Sequence, residues 1–366
     1  MFLTLNAALA IPAAAALICI KEAQNPIKYS IDSSPLGYTW SLGLFLVPVL
    51  IFGCLTLAIL KVPHRRKAFF LTLSILCPIG FGLDIFFGTA FFSFPNTFAV
   101  LGGSHPWLML PSYGWTEGHW RPHYIPIEEM FFYSLGFTAI LVTYISAENV
   151  WFKPSKVDLT QETPLPFKTI KYAIPFWVGI GVILCLIAIG ITHLQSISDG
   201  GVKSRPGYFI FLVVTAIIPS MFLFNKSFHF INWRALTMAW LFILVVSQFW
   251  EGSLGVPYQW WVYNKENMIG IMIKPQCQLP IEAVLVWSLS SWTTVVIYEY
   301  IAFRCHRKDY EKYVASRSAV ASVQPPQTSF GPQFSFIPEP SFHFGGPHIN
   351  DQITWMKEEY KKQLGQ

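Results

Sequence analysis

Eight stretches of this chain are too long and too apolar to rest in water: about 2–20, 39–60, 68–92, 126–147, 170–193, 207–224, 235–252 and 280–303. A helix crossing the hydrocarbon core of a bilayer needs about 20 such residues. Only segments that satisfy their own backbone hydrogen bonds can stand there. The pattern therefore predicts an all-α, polytopic membrane helix bundle of about eight transmembrane helices. Composition agrees: 53% of the 366 residues are hydrophobic and 12% are charged, against about 25% charged in soluble domains. The net charge of +5 does not mark a nucleic-acid binder, because the basic residues sit in short loops between the apolar runs. The opening stretch lacks the positive flank of a signal peptide and reads as a first span. Cys19, Cys54, Cys77, Cys185, Cys277 and Cys305 are scattered without CxxC spacing and read as packing residues.

Loop charge sets the expected orientation. With the N-terminus cytoplasmic, fifteen Lys and Arg fall on the inner side and seven on the outer, as the positive-inside rule requires. Both termini are then cytoplasmic. Residues 1–150 form a first membrane repeat, 151–169 a cytoplasmic linker and 170–304 a second repeat. Residues 305–366, rich in Pro, Gly, Ser and Phe, read as a disordered cytoplasmic tail.

The repeat is visible in three paired motifs. "YTWSLGLFLVPVLIF" (Tyr38–Phe52) is similar to "YFIFLVVTAIIPSMF" (Tyr208–Phe222), each with a proline about three turns in. "GFGLDIFFGTAFFSFPN" pairs with "SQFWEGSLGVPYQWWVYN", an acidic residue followed by Gly, aromatics and Asn. "PIEEMFFY" pairs with "PIEAVLVW", an aromatic standing five residues after the Glu in both. The prolines, the acids and the PIE glutamates are 171, 167 and 154 positions apart. Four spans per repeat make the repeats parallel, related by an axis along the membrane normal.

These motifs place Asp84, Glu128, Glu251 and Glu282 at similar depth toward the outer face. Acidic residues within spans are costly and face the bundle interior, so each is a candidate functional residue. Helix capping is the plain alternative for the PIE glutamates, since a carboxylate two residues after proline meets free N–H groups. The functional alternative is acid–base chemistry. A carboxyl group removed from water holds a proton more readily and can donate it to a weak base, even a polyene double bond, while aromatic faces stabilise the resulting cation. Asp84 and Glu251 are the candidate acids, and Glu128 and Glu282 the candidate bases or stabilisers. Two signals are read otherwise. His105, Glu117, His119 and His123 include an HxxxH spacing, but the Gly and Pro of "GWTEGHWRPHY" oppose a helix, so the segment is expected to cap the bundle and no metal is assigned. Tyr298-Glu299 reads as an anchor at the cytoplasmic interface.

The order of motifs in "IIPSMFLFNKSFHFINWRALTMAWLFILVVSQFWEGSLGVPYQWWVYN", then "GIMI", "LPIEAVLVW" and "VVIYEY", resembles the integral-membrane lycopene cyclases that occur as two small subunits or a fused tandem. The likeness covers about 38–145 and 208–301. It implies proton-initiated cyclisation of the end of a linear carotene without net redox change, an isomerase or intramolecular lyase of the lycopene β-cyclase kind. It also implies no cofactor, a hydrophobic polyene substrate held in the bilayer, and no nucleic acid. A homo-oligomer or contact with other enzymes of carotenoid biosynthesis is left open. On this reading the catalytic set is Asp84, Glu128, Glu251 and Glu282 with Glu129 as a partner, and Phe91, Phe94, Trp260 and Tyr263 line the polyene pocket. The departures are Ala283 after Glu282, where the first copy has Glu129, and Leu83 rather than Trp before Asp84. The competing readings are a proton-coupled transporter, which also places carboxyls between repeats, and a cyclase-like protein that has lost catalysis.

Overall fold

The computed structural model describes residues 35–104, 108–116, 119–152, 170–198, 205–228, 230–273 and 279–323. Within these stand seven helices long and apolar enough to cross a membrane, the build of a multi-pass membrane protein. The expected span at 2–20, the linker from 153 and the chain after 323 lie outside the described residues.

In chain order, α1 (Gly37–Ile59) turns tightly into α2 (Pro63–Phe91), which opens with proline in its first turn and continues through Pro78. A two-residue strand, β1 (Phe92–Ser93), follows α2. The hairpin β2 (Met109–Thr116) and β3 (His119–Pro126) comes next. Helix α3 (Glu128–Ser146) ends in a π turn, Ala147–Trp151. Helix α4 (Ile170–Ser198) lies at the edge of the bundle with Leu186 and Leu194 exposed. Helix α5 is Gly207–Leu212 and Ile218–Ser227 joined by a π turn, Val213–Ile217. Helix α6 (Trp233–Trp250) runs into a π turn of its own, Glu251–Gly255. The strands β4 (Val262–Tyr263), β5 (Met272–Ile273) and β6 (Leu279–Pro280) lead to α7 (Ile281–Val323).

Proline explains one irregularity. Pro219 lacks the N–H that would close a normal turn, and the π turn just before it gives the freed carbonyls another register. Helices α3 and α6 are the most enclosed, each with 50% of its membrane-length core buried, against 17–22% for α1, α2, α4 and α5. The outward faces carry bare Trp40, Leu44, Phe249 and their like, as surfaces meeting lipid should.

Two expectations are refined. The stretch 109–126, expected as a loop on the membrane surface or over the bundle, has regular structure. It is a hairpin of two eight-residue strands laid along α2, where the buried Ser112 hydroxyl donates to the Ile85 carbonyl at 2.6 Å. Pairing within the hairpin satisfies its backbone beside the helix, which an open loop could not do. Helix α7 also continues unbroken past residue 305, where the tail is expected to begin, to Val323.

At the Tyr38 end of the bundle, β1 and β4 pair antiparallel, Phe92 with Tyr263 and Ser93 with Val262. Flanking them, two asparagines make reciprocal bonds. The Asn96 N–H donates to the Gln259 carbonyl and the Asn264 N–H to that of Phe91. Their side chains donate to the Tyr258 and Ala90 carbonyls respectively. This lattice closes the ends of α2 and α6 against each other and fixes the height of the acids one to two turns below.

Candidate functional site

All five carboxyl groups singled out from the sequence lie at this same end of the bundle and are 0–7% exposed. Asp84 is two turns from the end of α2, with the Tyr133 hydroxyl in hydrogen-bonding reach. Glu251 begins the π turn of α6 and accepts from the Trp287 indole N–H at 2.7 Å and from the Tyr263 hydroxyl. Tyr133 and Trp287 are the aromatics five residues after the two PIE glutamates, so each acid takes a donor from the same point on the following helix. Burial, and then the Glu251 charge, hold the Tyr263 hydroxyl well above its ordinary pKa, so it stays a donor. A π turn at a buried acid is a frequent device of functional sites.

Glu129 accepts from the Tyr38 hydroxyl at 2.5 Å. Tyr208, which opens α5, lies within electrostatic range of Glu251, Asp84, Glu282 and Glu129. Among the described residues none of the five faces a lysine or arginine across an ion pair.

The PIE glutamates differ from the other three. Glu128 accepts from the Leu101 N–H at 2.7 Å and the Thr39 hydroxyl at 2.5 Å, and Glu282 accepts from the Ile269 N–H at 2.6 Å. Each thus pins the loop that precedes its helix, and one carboxyl oxygen of each is buried without a partner among the described residues.

Two cavities adjoin the acids. The first has Glu129 and Glu251 in its wall with Phe94, Phe132, Trp261 and Trp287. The second has Asp84, Phe91 and Phe211. Phe92, Tyr133, Phe137, Tyr208, Val286 and Ser290 belong to both, so the two are neighbours across one partition. Of the four aromatics expected against a ligand, Phe94 and Tyr263 line the first cavity and Phe91 the second. Trp260 lines neither and instead stacks behind Tyr38, ring centroids 6.1 Å apart. Glu128 and Glu282 also line neither cavity. Such a site can hold an apolar molecule, offer it protons from carboxyl groups, and surround a developing cation with aromatic faces.

Sequence reasoning missed a second buried cluster at the opposite end. Arg65 grips both oxygens of Glu299 at 2.8 and 2.9 Å and also bonds Glu148. The Tyr144 hydroxyl donates to Glu299 at 2.8 Å and accepts from the Asn232 N–H at 3.0 Å. Glu299 is therefore not an interfacial anchor. It is 1% exposed, and Arg65 supplies the charge that lets it be buried there. Arg65 had been visible only as a loop charge. His105 and Glu117, weighed as metal ligands with His119 and His123, lie outside the described residues.

No protein-family model, curated protein or solved structure matches the chain.

Proposed function

We propose that the protein is a membrane-embedded cyclase of the lycopene-cyclase kind, acting by proton-initiated, non-redox ring closure at the end of a linear polyene. The observation that carries this reading is the first cavity, an aromatic chamber with two buried carboxyl groups, Glu129 and Glu251, in its wall and, among the described residues, no cation paired with either. Burying an uncompensated carboxylate is expensive, and a proton is what remains to neutralise it. Glu251 or Asp84 gives that proton to a terminal double bond of the polyene. The resulting tertiary cation is attacked by the next suitably placed double bond, closing a carbon–carbon bond. A ring carbon then loses a proton to the carboxylate that the first step left, restoring one double bond and the acid. Atoms and electrons balance without an oxidant or a metal. The aromatic rings of Phe132, Trp261 and Trp287 face the cationic stage, worth about 2 kcal/mol each where water is excluded.

Two tandem parallel repeats account for the pairings. Tyr38 and Tyr208 are 170 positions apart and Pro48 and Pro219 171, and the π turn Val213–Ile217 between the second pair takes up the extra residue. Asp84 and Glu251 are 167 apart and Asn96 and Asn264 168, with the π turn Glu251–Gly255 in between. The reciprocal Asn96 and Asn264 bonds and the matching loop contacts of Glu128 and Glu282 follow the same relation. The acids then lie toward the outer leaflet and both termini on the cytoplasmic side. Glu128 and Glu282 serve as positioning residues, which revises the base role that spacing gave them.

The test is expression in a host that accumulates lycopene, followed by pigment analysis. Cyclised carotene is expected from the wild-type chain and its loss from Glu251→Gln. An unchanged lycopene pool with a well-folded, membrane-inserted protein would remove this substrate. Proton-driven uptake of a solute by vesicles carrying the protein would favour a transporter instead.

A further inference from the structure

Resting on the cyclisation reading above, we propose that the gap between α2 and α5 is a lateral portal. Through it a long, linear, unsaturated hydrocarbon passes from the lipid into the carboxyl chamber, lying beside Asp84 with its end at Glu129 and Glu251. The two helices meet through rings at the Tyr38 end: Phe87 with Phe211 at 5.5 Å, Phe91 with Phe211 at 5.1 Å and Phe91 with Tyr208 at 4.7 Å. Further toward mid-membrane the second cavity separates them, walled by Leu76, Ile79 and Gly80 from α2 and by Thr215 and Ala216 from α5. Its rim is open. Ile79 is 53% exposed, and Leu83, Thr215 and Ala216 are half-buried.

The rim on α5 is built by the π turn Val213–Ile217, which displaces Thr215 and Ala216 from the regular helical path. The Thr215 hydroxyl is occupied, donating to the Phe211 carbonyl at 2.7 Å, so the rim offers a ligand little beyond carbon. Gly80 lets the rings of the partition lie directly against α2. A Cβ there would stand 2.9 Å from Tyr133 Cδ1 and 3.0 Å from Phe137 Cε2, both on the partition between the cavities. Asp84 is the acidic side chain in this wall and, among the described residues, has no ion-pair partner. A phospholipid, whose headgroup needs donors, is poorly served here. A hydrocarbon with apolar ends fits, and continuity with the first cavity through the six shared residues gives its end somewhere to react.

The test follows entry rather than turnover. Wild-type protein in lipid nanodiscs is mixed with lycopene, and quenching of tryptophan fluorescence is timed, since Trp261 and Trp287 line the first cavity. Ala216→Phe and Thr215→Phe are expected to slow quenching at least about tenfold by overfilling the rim. Val214→Phe, on the exposed flank of the same turn, leaves the rate unchanged, and Ala216→Gly retains or exceeds it. Unchanged rates in both rim variants, or equal slowing by Val214→Phe, overturn the portal. Slowed quenching without any cyclised product keeps the portal and removes the cyclase reading. Product formed at full rate by both rim variants keeps the cyclase and removes the portal.

Discussion

At the Arg65 end of the bundle two buried carboxylates meet a guanidinium; at the Tyr38 end five buried carboxyl groups meet hydroxyls, an indole and backbone N–H groups. Both arrangements satisfy oxygen atoms, but only the first supplies a positive charge. A guanidinium gripping both oxygens of a carboxylate makes a fixed, charge-assisted pair that ties α2 to α3 and α7. Hydroxyl and N–H donors bring no full positive charge to the carboxyl groups they meet. On the proposed reading, one end holds helices together and the other does chemistry.

The largest expected effect breaks the chemical end alone. Glu251→Gln keeps one oxygen to accept from the Trp287 indole N–H and turns its amide N–H toward the Tyr263 hydroxyl, which can accept, but removes the acid. Product formation should fall by about 10²- to 10⁴-fold, while the unfolding temperature in detergent barely moves. Next comes the structural end. Arg65→Met leaves Glu148 and Glu299 buried without a cation, and denaturant unfolding should show a loss of about 3–5 kcal/mol. Adding Glu148→Leu and Glu299→Leu should recover most of it. If Arg65→Met instead stopped catalysis in a fully stable protein, the division between the two ends would fail.

Glu282→Ala is intermediate, orphaning the buried Ile269 N–H at a cost of about 1–3 kcal/mol. Hydrogen exchange should rise in the loop before α7, and Glu282→Gln should recover most of the protection. The smallest change is Tyr144→Phe, which removes one donor to Glu299 and one acceptor from Asn232. About 1 kcal/mol of stability should go, with turnover unaffected.

Much of the bundle was legible because hydropathy is a local property. Seven of the eight apolar runs are helices, while the eighth lies outside the described residues. The acids were legible because a carboxyl inside an apolar run stands out, and repetition of "PIE" marked the paired helix starts. Even Tyr133 and Trp287 had announced themselves as aromatics at a matching distance from those glutamates.

Long-range partners were hidden. Arg65 reaches Glu148 and Glu299 across 83 and 234 positions, and no local pattern reports such a meeting. The loop bonds of Glu128 and Glu282 were hidden for the same reason, so capping and catalysis looked like their only roles. The hairpin was missed because Pro111 and Pro122 argue against strands. Each faces a tyrosine across the pair, Tyr124 and Tyr113, where edge strands tolerate proline.

The most direct test of proton-initiated closure is conversion of lycopene by the purified protein in heavy water, with product mass read by mass spectrometry. Chamber carboxyls that exchange with water should deliver one deuterium for each ring formed, and Glu251→Gln should yield neither ring nor label. Rings formed without deuterium, or labelled rings at full yield from Glu251→Gln, would contradict the account.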